Sequence, residues 1–147
     1  MNAIPKSELL KIAQQFGTPV YIYSAETILH QYTTLQNAFK DVPLKLKFAC
    51  KSLNNINILT LLRNAGAGLD AVSIQEVWLG LEAGFKPESI LYTPNCVAID
   101  EIKLAVEAGV QINIDTISIL EQFGHSFFPV SFSSLKSAVT TLKTDLQ

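Results

Sequence analysis

Four apolar, strand-like runs recur along the middle of the 147-residue chain at a nearly constant interval. Residues 44–50 end at Lys51, 69–72 at Ser73, 90–93 at Pro94 and 112–115 at Thr116, so the ends lie 22, 21 and 22 residues apart. Such an interval holds a strand of about six residues, a short loop and a helix of about ten. Helical spacing fills the gaps, with Ile56, Leu59, Leu62 and Arg63 in the first, Val77, Trp78 and Leu81 in the second, and Ile102, Ala105 and Val106 in the third. Each helical stretch closes on Ala65-Gly66, Ala83-Gly84 or Ala108-Gly109, which puts glycine where a helix ends in a left-handed residue. Gln75-Glu76 and Asp100-Glu101 supply polar or acidic groups to first turns, as the helix dipole favours. Repeated βα units predict an α/β fold with a parallel sheet and right-handed crossovers. The even interval favours a partial (β/α) barrel of four units over a doubly wound sheet.

The flanks differ from the repeat. Residues 1–17 read as a short helix with Leu9, Leu10, Ile12, Ala13 and Phe16 on its apolar side. Pro19-Val20-Tyr21-Ile22-Tyr23 is a β-rich run, and residues 25–40 read as a helix with Ile28, Tyr32, Leu35 and Phe39 on one face. A fifth strand extrapolated from the interval falls near residue 133, where Ser133-Ser134-Leu135-Lys136-Ser137 has little β character. From 125 to 147 the chain has eight Ser or Thr, with Leu135, Val139, Leu142 and Leu146 at helical steps. Phe127-Phe128-Pro129-Val130 ahead of them reads as a short edge strand. Three segments result: 1–43 as entry, 44–124 as half of an eight-stranded barrel, and 125–147 as an atypical helical tail.

Composition removes several classes of function. Hydrophobic residues make up 48% and charged residues 16%, which excludes disorder. A net charge of −2 from 11 basic and 13 acidic residues offers no basic excess for nucleic acid. Neither a signal-peptide core nor a run long enough to cross a membrane occurs, so a cytoplasmic protein without a membrane partner is expected. Cys50 and Cys96 stand alone, 46 positions apart, with no zinc-ligand spacing, and His30 has no neighbouring ligand. No metal is expected.

In a parallel α/β array functional groups collect at the carboxyl ends of the strands, here Lys51, Asp70, Ser73, Thr93, Asn95, Asp115 and Thr116. Lys51 follows an apolar strand, where partial desolvation would favour the neutral amine that attacks an aldehyde; a solvated lysine ending a strand is the other reading. Asp70 lies in an apolar run and needs a partner, either a ligand or a structural one such as backbone NH groups or a lysine. Ser73 and Thr116 read as helix N-caps, and Asn54, Asn55 and Asn57 as loop and capping residues. Lys45 and Lys47 are expected to lie as stems over the outer rim, and both cysteines to be buried.

Taken together, Phe48-Ala49-Cys50-Lys51, the segment Gly66-Ala67-Gly68-Leu69-Asp70-Ala71-Val72-Ser73-Ile74-Gln75-Glu76 and the segment Ala83-Gly84-Phe85-Lys86-Pro87-Glu88-Ser89-Ile90 resemble three linked motifs of one family. It is that of the pyridoxal-phosphate-dependent decarboxylases with the alanine-racemase-like barrel, in particular its diaminopimelate branch. The likeness covers about residues 8–124, and Phe16-Gly17-Thr18-Pro19-Val20-Tyr21-Ile22-Tyr23 resembles the family's first strand, which belongs to a separate β domain. It implies that Lys51 is catalytic and carries pyridoxal 5'-phosphate, that Asp70 lies beside the cofactor, and that a small amino-acid substrate loses its α-carboxylate as CO₂. The implied reaction is decarboxylation of meso-2,6-diaminopimelate to L-lysine by a homodimeric enzyme of lysine biosynthesis. After the lysine the family commonly has K-A-N-x-N, whereas Lys51-Ser52-Leu53-Asn54-Asn55 keeps only the second asparagine.

The family's ring-stacking histidine, phosphate-cradling glycines, pyridine-nitrogen acid and dimer-shared cysteine and tyrosine motifs come later in relatives and find no counterpart after residue 124. Two other readings stand beside the first: a related ornithine, arginine or carboxynorspermidine decarboxylase, and a non-catalytic half-barrel that self-associates or binds a partner across its open sheet edge. The expected chain is the amino-terminal portion of such an enzyme, inactive alone. Purified and supplied with pyridoxal phosphate, it should release no measurable CO₂ from meso-diaminopimelate in a radiometric assay.

Overall fold

A computed structural model describes residues 4–128. Helices α1 (Lys6–Phe16) and α2 (Ala25–Ala38) precede four strands, β1 (Lys47–Ala49), β2 (Gly68–Ala71), β3 (Ile90–Tyr92) and β4 (Gln111–Ile112). Helices α3 (Ile56–Asn64), α4 (Ile74–Glu82), α5 (Ile99–Glu107) and α6 (Ile117–Phe127) follow the strands in turn. All pairings are parallel and the spatial order is β1-β2-β3-β4. Strands laid down in chain order never reverse direction of growth, so among the described residues there is no switch point of the doubly wound kind. The sheet is a singly wound partial barrel, as the even interval predicts.

Local chemistry explains the boundaries. Asn55, Ser73 and Thr116 are the N-caps of α3, α4 and α6, each accepting from a backbone N–H of the first turn, and Ser24 does the same for α2. Gly66, Gly84 and Gly109 sit just past α3, α4 and α5 with φ of 93°, 84° and 71°, conformations that a side chain would strain.

Period-two alternation assigns the two faces of the sheet. A side chain at Gly80 of α4 would meet Leu69 and Ile90, so these point toward the helices. In register with them, Phe48, Ala71 and Tyr92 also bear on the helical layer, whereas Ala49, Asp70 and Leu91 form a row on the opposite, concave face. The core lies between sheet and helices, with Leu59, Leu69, Val77, Ile90, Tyr92 and Ile102 fully buried or nearly so. Helix α2 buries no residue completely and covers an apolar cavity of about 500 Å³ against Phe48, Ile58 and Leu62.

Several expectations change. The first strand is shorter than residues 44–50, because Cys50–Ser52 turn into a 3₁₀ helix closed by Leu53 N–H to Cys50 O at 3.0 Å and Ser52 Oγ–H to Ala49 O at 2.7 Å. Strand β4 is two residues long instead of residues 112–115, being paired on one side alone. Residues 19–23 form no strand, having no ladder partner among the described residues. Phe127 closes α6 and Phe128 is its C-cap, so the edge strand predicted there is not formed at these two positions; Pro129, Val130 and the helix through Leu135 and Leu146 lie outside the described residues.

Lys47 does not lie over an outer rim. Its amine crosses the concave face above Gly68 and donates to Ser89 O at 3.0 Å. A Cβ on Gly68 would stand 2.7 Å from Ser89 O and 2.9 Å from Lys47 Cγ, so the absent side chain is what lets Lys47 span from β1 to the start of β3. Gly68→Ala should therefore destabilise the chain by about 1–3 kcal/mol, the usual range for overpacking, measured by urea denaturation.

Candidate active site at the strand carboxyl ends

Lys51 sits in the 3₁₀ turn directly beyond β1, two residues past Ala49, the strand partner of Asp70. The desolvated amine expected from the apolar strand is not what forms: Lys51 is exposed, because the turn lifts it off the sheet before any helix or loop covers it. Cys50 takes the buried position instead, pointing into the core at 0% exposure.

Asp70 is half-buried on the concave face. Its Oδ1 accepts the Thr93 hydroxyl at 2.6 Å, and Thr93 is itself anchored by its backbone N–H to Ala71 O at 2.8 Å. The structural partner is thus a hydroxyl from the next strand end, in place of the backbone NH groups or lysine considered from the sequence. With Oδ1 engaged, the carboxylate is held in one orientation and keeps acceptor capacity toward the mouth of the sheet.

The next two loops are tied together by Asp115, whose Oδ2 accepts the Cys96 N–H at 3.1 Å and so braces Cys96 at φ 56°. The Cys96 thiol donates to the side-chain Oδ1 of Asn95 at 3.4 Å. Cys96 is exposed, against the expectation that both cysteines are buried, since its loop projects beyond β3. His30 is exposed on α2, and among the described residues no three potential ligands converge on a metal position.

Two glutamates that sequence reasoning gave only to helix first turns fix the loop after Asp70. Glu76 Oε2 accepts Val72 N–H at 2.8 Å while Ser73 Oγ accepts Glu76 N–H at 3.3 Å. The Ser73-x-x-Glu76 spacing is the signal of such a reciprocal cap. Glu101 reaches from α5 to accept Ile74 N–H at 3.3 Å and the Tyr92 hydroxyl. Burial, then the Glu101 bond and charge, raise the Tyr92 pKa. Burial and then the Glu76 charge push the Cys50 thiol up to about 11. On Lys47, burial and then Lys45 lower the pKa, with Asp70 opposing.

A parallel singly wound sheet thus presents an amine, an oriented carboxylate and two braced loops at its carboxyl ends, the end at which barrel folds carry their chemistry. The family described as "Pyridoxal-dependent decarboxylase, pyridoxal binding domain" matches residues 25–129, and the chain belongs to that family. It is 37% identical over 116 residues to a diaminopimelate decarboxylase of Methanothermobacter thermautotrophicus, covering 78% of this chain and 27% of that protein. With the Pseudomonas aeruginosa diaminopimelate decarboxylase the identity is 35% over 115 residues, covering 78% and 28%. Among solved structures, the diaminopimelate decarboxylase of M. jannaschii in complex with L-lysine superposes with a TM-score of 0.75 at 28% identity, covering 80% of this chain and 30% of that one. The lysine/ornithine decarboxylase of Vibrio vulnificus complexed with putrescine gives 0.75 at 25% identity, covering 82% and 33%. The chain thus spans between a quarter and a third of the length of these relatives.

The two thiols provide a direct check on this end of the sheet. In the folded chain Ellman's reagent should titrate Cys96 alone, with Cys50 reacting only on denaturation. Because the folded Cys50 pKa is raised from an ordinary value of 9.0, its contribution to stability is whole below pH 9 and fades as pH rises toward about 11. Tyr92 acts in the same direction, so alkaline unfolding followed by circular dichroism should set in above pH 9.

Proposed function

We propose that this chain supplies the lysine-bearing part of the pyridoxal-phosphate site of a decarboxylase that converts meso-2,6-diaminopimelate to L-lysine. The observation that carries the reading is the placement of Lys51 immediately beyond β1, next to the strand that presents Asp70 under the Thr93 hydroxyl. The diaminopimelate substrate rests on the names of the relatives at 32–37% identity.

The residues present fit the aldehyde end of the cofactor. Lys51 offers an accessible primary amine for covalent attachment, and Asp70 a carboxylate whose orientation is set before anything binds. When bound, pyridoxal phosphate supplies an electron sink for the pair left behind as a carboxylate departs as CO₂. Lys51 would hold the cofactor through its Nζ and, once free, could carry a proton there; Asp70 would orient a polar group of the ring or substrate through its free oxygen, and Thr93 holds Asp70. Glu76 and Glu101 keep the loop after Asp70 from moving when the site is loaded. We assign residues 44–124 to the first half of the barrel and residues 1–43 to its entry, whose 19–23 segment, unpaired here, would join a separate β domain. The site residues put forward are Lys51 and Asp70, in a soluble, cytoplasmic setting supported by an ordinary charge balance and two isolated cysteines.

Incubation with pyridoxal phosphate, borohydride reduction and peptide mapping should place the pyridoxyl label on the peptide carrying Lys51, and Lys51→Arg should abolish it. Label distributed over the exposed lysines generally, at an extent unchanged by Lys51→Arg, would overturn the assignment.

A further inference from the structure

Two hydrogen bonds close the turn that carries Lys51, and one of them comes from a side chain. The main-chain bond runs from Leu53 N–H to Cys50 O at 3.0 Å, the other from the Ser52 hydroxyl back to Ala49 O at 2.7 Å. A 3₁₀ turn of three residues gains little from its own hydrogen-bond geometry. This one lies at the surface, with Lys51 and Ser52 both exposed. Its two sides are anchored differently: ahead of the lysine Cys50 is sunk in the core at 0% exposure, whereas behind it Ser52 is tied back to the sheet by its hydroxyl.

The acceptor of that bond gives it a bearing on the site. Ala49 ends β1 and is the register partner of Asp70, so the Ser52 hydroxyl ties the far side of the lysine to the strand end beside which the carboxylate stands. The next fixed point along the chain is the cap of α3, where Asn55 accepts from Asn57 N–H and Ile58 N–H. In the K-A-N-x-N pattern the residue after the lysine is alanine, so the hydroxyl of Ser52 lies outside that pattern. We infer that Ser52 is a positioning residue: its bond to Ala49 O holds the Lys51 backbone in the turn, so that the amine is presented from the strand end shared with Asp70. The inference rests on the reading of Lys51 as the lysine that carries the cofactor. Ser52 acts through Lys51 alone, and its loss opens the turn by about the fivefold factor of one ordinary hydrogen bond.

Brief treatment of the full 147-residue chain with pyridoxal phosphate, then borohydride, gives by peptide mapping the ratio of label on Lys51 to label on Lys86, an exposed lysine ahead of β3 that serves as internal standard. Ser52→Ala should lower that ratio about fivefold, and Ser52→Thr, which keeps a hydroxyl able to reach a carbonyl three residues back, should restore it. In Ser52→Ala the Leu53 amide should also exchange about fivefold faster, a readout that needs no cofactor, while Cys50 stays closed to Ellman's reagent. Wild-type label on Lys51 with a ratio that Ser52→Ala leaves unchanged, or lowers without rescue by Ser52→Thr, overturns the role of Ser52 and leaves the cofactor reading standing. A fall accompanied by a reactive Cys50 marks loss of the core and overturns the role too. Label absent from Lys51 in the wild type overturns the cofactor reading, and the role of Ser52 with it.

Discussion

The register of the parallel sheet is the constraint on which everything else depends. Lys47 faces Gly68, Leu69 faces Ile90 and Leu91 faces Gln111, offsets of 21, 21 and 20 residues. Side chains alternate across a strand, so a one-residue slip of β2 against its neighbours would send Asp70 to the helical layer and Leu69 to the concave face. The glycines past α3, α4 and α5 end each helix sharply enough to hold the count. The register in turn sets Ala49, Asp70 and Leu91 in one row, and brings Thr93, two residues beyond Leu91, over the carboxylate.

From that row the site assembles by local devices. Thr93 orients Asp70, Asp115 braces the loop at Cys96, and Glu76 and Glu101 seize the backbone of the loop between β2 and α4. Apart from the Glu76 bond, which stays within its own unit, each of these joins adjacent units, so the carboxyl-end loops are cross-linked pairwise along the sheet. Orientation of the carboxylate therefore needs only β2 and β3. Exposure of Lys51 has the opposite logic: covering an amine beyond an edge strand requires groups from the far side of that edge, which β1 lacks among the described residues.

What could be read from the sequence was what depends on neighbours along the chain. Ala-Gly helix ends, the caps Asn55, Ser73 and Thr116, the order of strands and helices and the position of Lys51 at a strand end all follow from residues within one or two turns of each other. Strand lengths were overestimated, since the apolar run at 44–50 cannot reveal that Cys50 would open a 3₁₀ turn. The polar contacts across strands were not legible. Thr93 to Asp70 spans 23 residues, Ile74 to Glu101 spans 27 and Lys47 to Ser89 spans 42, and no spacing rule covers such separations until the register is known.

Lys47 shows how one such contact shapes the electrostatics of the concave face. Its ammonium is partly desolvated and close enough to Lys45 to lose proton affinity, yet the nearby Asp70 charge pulls the other way. Gly68 makes this possible: it lies between the two strands that Lys47 bridges, and any side chain there would collide with both Lys47 and the Ser89 carbonyl. The glycine that the sequence offers as part of a turn into β2 is thus also the gap through which a cation from one strand reaches the beginning of the strand two places away, beneath the carboxylate row.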